Sequence, residues 1–396
     1  MTPRSTRPRC AAALSTSPDL DAAVAEVCDE LDERLDGTGP DRAFLFATLH
    51  YGGDLARAGA EIVEGTGASA LAGCTGAWTV GVGREEEHSP GIAVLAASFP
   101  NTRVDVLRIV PPAEGGEASP PLPIEDPERA SLVVVGDPFT FPVPNFLQGV
   151  TESYPGVPVA GGLSSGGVAP GPNQLIAGTG PGNTGAKAVG REGGARLVNA
   201  VSQGCRPIGP PVVATKVDGN VLLELRGKPA GEVMSEILDE VDEADRKLFQ
   251  AGAFIGRAID SAKSTFQPGD LLVRNIMGLD PEQQAIAIAD DALRPGSTIQ
   301  LMVRDGASAS AELDSVLEIA GLQAAGEAAG GLLFTCGGRG RGMFGRPHHD
   351  AAALERAFGP GFPVAGFSAN GEIGVVGGEP FLHGFTASIA LFAPRD

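Results

Sequence analysis

Apolar and polar positions along this chain follow one pattern that occurs three times. Each copy has an apolar run of buried-strand type, a polar amphipathic stretch of about a helix's length, a second apolar run and a glycine-rich turn. The apolar runs lie at 44–51 and 70–76, at 132–139 and 158–167, and at 332–340 and 363–374. The repeat predicts an α/β fold, a layered sandwich of β-α-β-turn units in two related domains, with the glycine turns at equivalent places.

The same pattern suggests where the domains lie. We expect residues 1–16 to form a disordered arm, and a first helix to begin at Ser17–Pro18 in the usual order of cap and proline. Residues 17–227 are assigned to a first domain, and residues 228–396, which carry the third copy, to a second domain. Two further apolar runs flank Asp218–Gly219–Asn220 and predict a hairpin.

Composition narrows the class of protein. The 396 residues are 42% hydrophobic and 20% charged, which is enough apolar sequence for a sizeable folded core. The formal net charge of −20 would repel a phosphate backbone, and aromatic residues make up only 5% of the chain, so few platforms exist for stacking bases. These two properties argue against a nucleic-acid partner.

Cysteine usage and hydropathy indicate the compartment. The five cysteines are scattered, contain no CxxC motif and are odd in number, which fits a reducing cytosol better than a disulfide framework. The basic start of the chain is not followed by an apolar signal-peptide core, and no run of about 18 apolar residues occurs. We expect a soluble, cytoplasmic protein without a membrane partner.

Several segments together resemble a known family. In the first half they are LAGCTGAWTVG (71–81) and PVAGGLSSGG (158–167). In the second half they are LLVRNIMGLDP (271–281), IQLMVRD (299–305), LLFTCGGRGRGMF (332–344), PVAGFSANGEIG (363–374) and LHGFTASIALF (382–392). Over roughly residues 38–392 the chain resembles the paired N- and C-terminal FIST domains, and the CGGRG and GFSANGEIG segments are the most specific.

The resemblance implies a sensory module that binds a small ligand, an amino acid among the candidates, rather than a known enzyme. Many members of the family are fused to a signalling output domain, or to an F-box in eukaryotes. The resemblance implies no cofactor. We therefore expect a separate signalling output protein as partner, and a protein-recruiting adaptor is an alternative function.

The loop that follows the third copy's first apolar run is the main candidate for ligand binding. In FTCGGRGRG, the glycines around Cys336, Arg339 and Arg341 allow guanidinium groups to hold a carboxylate in bidentate fashion. The alternative is that Arg339 pairs internally with an acidic residue such as Glu372. Cys336 could also be a nucleophile, because nearby arginines favour the thiolate, which would make the protein a cysteine hydrolase or transferase.

The turn of the third copy supplies the rest of the predicted site. Glu372 in NGEIG is a carboxylate that the equivalent turns of the other copies lack, so it could bind the ammonium end of a ligand or neutralise Arg339. Asn370 would meet donor groups, and Ser368 would line the floor with Cys336. The small residues that recur after each A-G pair favour a structural role, as hydroxyl groups that satisfy the turn backbone; they are Cys74, Thr75, Ser164, Ser165 and Ser368.

Three enzyme-like or metal-like motifs are set aside. G-x-S-x-G at 162–166 is followed by prolines rather than the helix that a nucleophile elbow needs. G-x-G-x-x-G at 180–185 has Lys187 one place late and no following Ser or Thr for a phosphate loop. Adjacent His348 and His349 point about 100° apart on a helix, so they do not form a metal-ligand pair, and no metal site is predicted.

Overall fold

Four β-sheets and eight α-helices make up the described part of the chain in this computed structural model, which covers residues 7–37, 39–109, 122, 124–178, 180–182, 185–263, 265–266 and 269–395. The fold is mixed α/β and divides into two units. Unit 1 contains residues 1–201, 313–382 and 386–396, and unit 2 contains residues 202–312 and 383–385.

The helices follow amphipathic segments of the sequence. They are α1 (Leu20–Leu35), α2 (Leu55–Thr66), α3 (Val143–Ser153), α4 (Ala230–Glu240), α5 (Glu243–Ala251), α6 (Gly306–Gln323), α7 (Arg341–Phe344) and α8 (His349–Phe358). Helix α1 begins after Asp19, whose carboxylate accepts the Ala22 N–H, and not at Ser17 as predicted. The carboxylate is the better cap here because it satisfies one of the N–H groups that the first turn leaves open.

Unit 1 carries three six-stranded sheets. In spatial order, the first contains β1 (Arg9–Ser15), β6 (Ile92–Ser98), β2 (Arg42–Thr48), β3 (Ala70–Gly76), β10 (Leu175–Ala177) and β11 (Gly180–Gly182). The second contains β24 (Glu379–His383), β23 (Glu372–Val376), β9 (Val159–Leu163), β8 (Ala130–Gly136), β12 (Ala186–Gly193) and β7 (Thr102–Ile109). The third contains β13 (Ala195–Ser202), β25 (Ala387–Pro394), β21 (Gly330–Cys336), β22 (Val364–Ala369), β4 (Thr79–Gly81) and β5 (Arg84–Glu86).

Each sequence copy forms two parallel strands connected through a helix. The pairs are β2 and β3 with α2 between them, β8 and β9 with α3, and β21 and β22 with α8. The glycine of each A-G pair faces the backbone of the neighbouring strand, where a Cβ atom would lie 1.8 Å from a carbonyl oxygen. The glycines with their facing residues are Gly73 with Leu45, Gly161 with Val134, and Gly366 with Leu333. Close approach of the two backbones therefore explains why the glycine recurs in all three copies.

The first and third sheets share an aromatic core. The ring of Phe46 on β2 lies 5.1 Å from that of Phe367 on β22 and 6.2 Å from that of Phe334 on β21, centroid to centroid. Phe44 and Phe392 extend this contact with a centroid distance of 5.9 Å. Offset and edge-on rings at these distances bury much apolar area, so this cluster ties the first copy to the third.

Unit 2 is a closed antiparallel barrel of six strands. Its strands are β14 (Cys205–Asp218), β15 (Val221–Leu225), β16 (Lys228–Pro229), β17 (Ala253–Ala258), β18 (Leu271–Asp280), β19 (Ala285–Ile288) and β20 (Thr298–Arg304). The order β14-β20-β17-β18-β19-β15 closes because β15 also pairs with β14, and β16 is appended to β15. The hairpin predicted around Asp218–Asn220 is the β14–β15 pair.

Two features of the structure differ from the expected organisation. Residues 9–15 are strand β1 at the edge of the first sheet, so the prediction of a disordered arm over 1–16 is wrong there; Ala11, Ala12 and Ala13 are buried because β1 pairs with β6. The two units also do not divide at residue 228. The third copy lies in unit 1 with the other two copies, since β22 pairs with β4 and β23 pairs with β9.

Candidate functional site

The glycine turns of the three copies meet in unit 1. Backbone N–H of Ser165 donates to the carbonyl oxygen of Thr75 at 3.2 Å, and backbone N–H of Ser368 donates to that of Trp78 at 3.0 Å. The Ser165 hydroxyl accepts from Ala77 N–H at 2.8 Å and donates to the Ser368 carbonyl oxygen. These hydrogen bonds bring the glycine turns of the three copies into contact. We call residues 75–78, 164–166, 336–338 and 368–372 the glycine corner.

Small hydroxyl side chains hold the corner together. Besides the two bonds of Ser165, the Thr75 hydroxyl accepts the backbone N–H of Gln174 at 3.0 Å. These contacts match the structural role predicted for the recurring small residues, in which hydroxyls replace water at turn backbone groups. Ser164 differs, because its buried hydroxyl has no hydrogen-bond partner among the described residues.

Cys336 and Glu372 come together at this corner. Cys336 ends β21 and is half-buried, and the backbone N–H of Gly338 donates to its Sγ at 3.4 Å. Glu372 begins β23 and is fully buried, with Oε2 accepting the Thr386 N–H at 3.2 Å and the Cys336 thiol donating to the carboxylate. Burial raises the pKa of Glu372 well above its ordinary value, against the opposing effects of these hydrogen bonds and of the Arg339 charge.

Arg339 does not lie where a direct ligand clamp would need it. Its side chain is 0% exposed and forms a bidentate ion pair with Asp350, with Nε to Oδ2 at 2.7 Å and Nη2 to Oδ1 at 2.8 Å. The interpretation of internal pairing therefore holds, with Asp350 rather than Glu372 as the hydrogen-bonded partner. The physical reason is that a desolvated guanidinium requires a carboxylate within its own environment.

A wider buried network surrounds this ion pair. Thr335 donates to Asp350 at 2.8 Å, and a ring nitrogen of His349 lies 2.8 Å from the same carboxylate. The Arg339 charge and these contacts hold the pKa of Asp350 below its ordinary value even though burial opposes this. Glu85 on β5 accepts the backbone N–H groups of Asp350 and Ala351 at the start of α8, each at 2.8 Å.

Burial and the neighbouring charge of Asp350 raise the pKa of Glu85 to about 8. Sequence reasoning missed Glu85 and did not identify Asp350 as the partner of Arg339. The usable signal was the position of Asp350 in the first turn of the helix that follows the arginine loop, where acidic residues are favoured.

Of the remaining predicted site residues, Asn370 and Arg341 are exposed and Ser368 is buried. Asn370 lies between β22 and β23, and its backbone N–H donates to the Leu163 carbonyl oxygen at 2.9 Å. Arg341 begins α7, and its backbone N–H donates to a carboxylate oxygen of Glu87 at 2.9 Å. Of the six predicted residues, the structure thus places Cys336, Ser368, Asn370 and Glu372 in the glycine corner, Arg339 in the buried network and Arg341 on the surface.

Two cavities of the described residues lie away from this corner. One, of about 720 Å³, lies between α6 and α8 and is lined by residues that include Leu317, Leu322, Ala353 and Phe358. The other, of about 240 Å³, lies between the end of α3 and the β23–β24 turn. Neither cavity lies at the glycine corner, where Gly337 and Asn370 are exposed.

The motifs that were set aside have ordinary structural places. Residues 167–174, which follow G-x-S-x-G, contain no helix, and in G-x-G-x-x-G residues 183–184 lie outside the described residues. His348 precedes α8 with a φ of 61°, and no group of three or more His, Cys, Asp or Glu within the described ranges could hold a metal ion. No helix in the described segments is both long and apolar enough to cross a membrane.

Comparison with known families finds two matching domain models. The model of the FIST N domain matches residues 41–228, and the model of the FIST C domain matches residues 230–375. The chain belongs to the FIST family. The glycine corner of this FIST protein draws on both matched segments, since residues 75–78 and 164–166 lie in the first and residues 336–338 and 368–372 in the second.

The chain is also similar to mycobacterial proteins along nearly its whole length. An uncharacterized protein of Mycobacterium tuberculosis (strain ATCC 25618 / H37Rv) is 36% identical over 384 residues, which cover 97% of this chain and 99% of the relative. An uncharacterized protein of Mycobacterium bovis (strain ATCC BAA-935 / AF2122/97) is 35% identical over 384 residues, with 97% and 98% covered. The similarity therefore spans nearly the full length of this chain and of both relatives.

Proposed function

We propose that this FIST protein is a soluble, cytoplasmic sensory module that binds a small polar ligand, an amino acid or related carboxylate, at the glycine corner. Membership in the FIST family is consistent with a sensory or signalling role. The corner adds a specific place for the ligand. It is the point at which loops of all three copies meet, so an occupant there would contact residues from distant parts of the sequence.

The convergence of the three turns is the observation that carries this proposal. Gly337, Asn370 and Ala77 are exposed residues at the corner, where a ligand can reach them, and the N–H groups of Asn370 and Ala77 are held by Leu163 and Ser165. Cys336 and Trp78 are half-buried at the same corner. The thiol offers a polarizable contact and the indole ring an apolar one. The set suits a ligand with both polar groups and a small apolar part.

The buried network would serve the site indirectly. In the proposal, the Arg339–Asp350 ion pair fixes the Cys336–Gly340 loop, and the exposed Arg341 that follows takes the role of binding a ligand carboxylate. Asn370 provides an amide for the ligand's donor groups, and Glu372 with Ser368 forms the floor. We further propose that the three parallel strand pairs descend from one duplicated unit, and that a separate output protein receives the signal.

Thermal-shift screening against amino acids and small carboxylates tests the proposal. A ligand present at 100 times its Kd should stabilise the folded chain by about 2.7 kcal/mol. Asn370→Ala and Arg341→Ala should each reduce this stabilisation, whereas Arg346→Ala, a change of another exposed arginine of the same segment, should leave it intact. Stabilisation that is equal in all three variants would place the ligand elsewhere.

A further inference from the structure

One thiol of the glycine corner touches a buried carboxyl group. The five cysteines of the chain are all free thiols, and Cys336 is one of those that remain half-buried rather than fully buried. Its Sγ accepts the Gly338 N–H at 3.4 Å, and the thiol hydrogen-bonds to the side chain of Glu372. The N–H donor can stabilise negative charge on sulfur, and the carboxyl group beside it can take the thiol proton.

The carboxyl group of Glu372 has unused hydrogen-bonding capacity. Oε2 accepts the Thr386 N–H at 3.2 Å, whereas Oε1 is buried and has no hydrogen-bond partner among the described residues. Buried carboxylate oxygens are nearly always hydrogen-bonded in folded proteins. Because Glu372 also contacts the Cys336 thiol, its Oε1 could bind a polar reagent or accept the thiol proton.

A small reagent can reach the Cys336 sulfur past Gly337, but little space surrounds this loop. Gly337 and Gly338 follow the cysteine and place no side chain over it, and Gly337 is exposed. A Cβ atom on Gly337 would lie 3.4 Å from the Ser368 hydroxyl and 4.0 Å from the Trp78 ring. A reagent that reaches Cys336 along this loop must therefore be small.

We propose that Cys336 is a reactive thiol that small hydroperoxides oxidise to the sulfenic acid, with Glu372 as the group that transfers the proton. The sulfur attacks the terminal oxygen of R′OOH, so that the S–O bond forms and the O–O bond breaks. Glu372 takes the proton from sulfur and returns one to the departing R′O⁻, so that RSH and R′OOH give RSOH and R′OH. The peroxide is reduced by two electrons and the sulfur is oxidised by two.

The charged groups around Glu372 allow this transfer. Arg339 is the cation that acts on the carboxylate, and its charge is already balanced by the bidentate pair with Asp350. His349 and Glu85 contact Asp350 rather than Glu372. The ionised form of Glu372 is the one that takes the thiol proton, and burial, which raises the pKa of Glu372, makes that form a stronger base than a surface carboxylate.

Oxidation and ligand binding at the corner have separate readouts. The reaction requires hydroperoxide and the sulfur, whereas the proposed function requires reversible stabilisation by a carboxylate ligand. Labelling of Cys336 without any ligand-induced stabilisation would leave this inference intact and remove the proposed ligand. The converse result would leave the ligand and remove the inference.

The test follows sulfenic acid at individual cysteines of the full chain. The protein is treated with hydrogen peroxide in the presence of dimedone, and adducts at each cysteine peptide are timed by mass spectrometry. Cys28 is the internal control, because it is also half-buried but its neighbouring charges are Asp29 and Glu61 and it lies beside helix α2. We expect Cys336 to be labelled at least about 10-fold faster than Cys28, because assisted proton transfer typically contributes about 100-fold or more.

Substitution of the carboxyl group separates its role from simple exposure. Glu372→Gln keeps the size and the acceptor for Thr386 N–H, and should slow labelling of Cys336 at least about 10-fold while Cys28 is unaffected. Circular dichroism checks that the variant is folded. If the variant does not fold, the comparison of Cys336 with Cys28 in the unmodified chain decides. Equal labelling rates of the two thiols, or an unchanged rate in folded Glu372→Gln, would overturn the proposal.

Discussion

At the scale of single residues, the Arg339–Asp350 pair is the most constrained contact of the site. Both side chains are at most 1% exposed, and Thr335 and His349 add hydrogen bonds to the carboxylate. Removing two charges from water costs several kcal/mol for each ion, and the good geometry and extra hydrogen bonds offset that cost. The pair therefore fixes the loop only while both partners are present.

Loss of one partner should destabilise the protein strongly. Arg339→Ala leaves the Asp350 carboxylate buried without its cation, and we expect a decrease of about 3–5 kcal/mol in the free energy of unfolding, measured by urea denaturation. Arg356→Ala is the matched control, because the side chains of Arg356 and Asp314 are 50% and 59% exposed. That control should change stability by less than about 1 kcal/mol. Equal effects of both changes would contradict this account of the network.

Glu85 should make stability depend on pH. Its folded pKa is raised to about 8, so the folded state holds a proton that the unfolded state releases above about 4.5. The stabilisation is fully present below the unfolded pKa and is lost as pH rises through about 8. Glu85→Gln cannot ionise and can still accept the two N–H groups of α8. Unfolding free energies from pH 5 to 9 should fall less steeply for Glu85→Gln, and parallel curves would contradict the assignment.

At the scale of secondary-structure elements, the parallel strand pairs explain the recurring A-G of the sequence. In each pair the glycine faces a backbone carbonyl so closely that no side chain fits. This is a requirement of the backbone itself, because the obstructing atom belongs to a strand that cannot move without breaking its ladder.

Addition of one methyl group should distinguish these glycines from others. Gly366→Ala places a Cβ 1.8 Å from the Leu333 carbonyl oxygen, and we expect a loss of about 3 kcal/mol or more of unfolding free energy. Gly149→Ala within α3 meets nothing within 4 Å and should stabilise by about 0.5–1 kcal/mol. Thermal unfolding of both variants checks the contrast, and a neutral Gly366→Ala would show that the strands are farther apart than described.

The sequence predicted these elements better than their assembly. Apolar runs and glycine turns located the strand pairs, the β14–β15 hairpin and the corner residues Cys336, Ser368, Asn370 and Glu372. The partner of Arg339 was missed, because the position of Asp350 in a first helical turn does not show that the helix packs back against the loop. The role of Glu85 was missed for the same reason, since β5 is remote in sequence from α8. Strand β1 was missed because its short alanine run resembles a flexible arm in composition.

At the scale of the whole molecule, the two units have different architectures. Unit 1 combines parallel strand pairs with flanking antiparallel strands, whereas unit 2 is an antiparallel barrel whose pairings close on themselves. Because the barrel is closed, its six main strands have no free edge. Unit 2 also has an apolar cluster of its own, which includes Leu222, Ile255 and Ile286. A unit with its own closed core should fold without the rest of the chain.

A fragment of residues 202–312 tests this independence. We expect a β-rich far-UV spectrum and a cooperative thermal transition. The same fragment with Leu222→Asp, which puts a charge at a fully buried core position, should remain unfolded and provides the reference. A fragment that gives the same spectrum as this reference would show that the barrel depends on the remainder of the chain.

Ligand binding at the glycine corner can be measured directly with Trp78, the only tryptophan of the sequence, which lies in this corner. The intact protein is titrated with amino acids and small carboxylates while tryptophan emission is recorded. Because the sequence has one tryptophan, the emission comes from the glycine corner alone. We expect a saturable change in Trp78 emission with at least one such ligand, and weaker ligand binding in Asn370→Ala. If a ligand stabilises the protein against heat while Trp78 emission stays constant at saturation, the ligand binds elsewhere and the assignment of the glycine corner is contradicted.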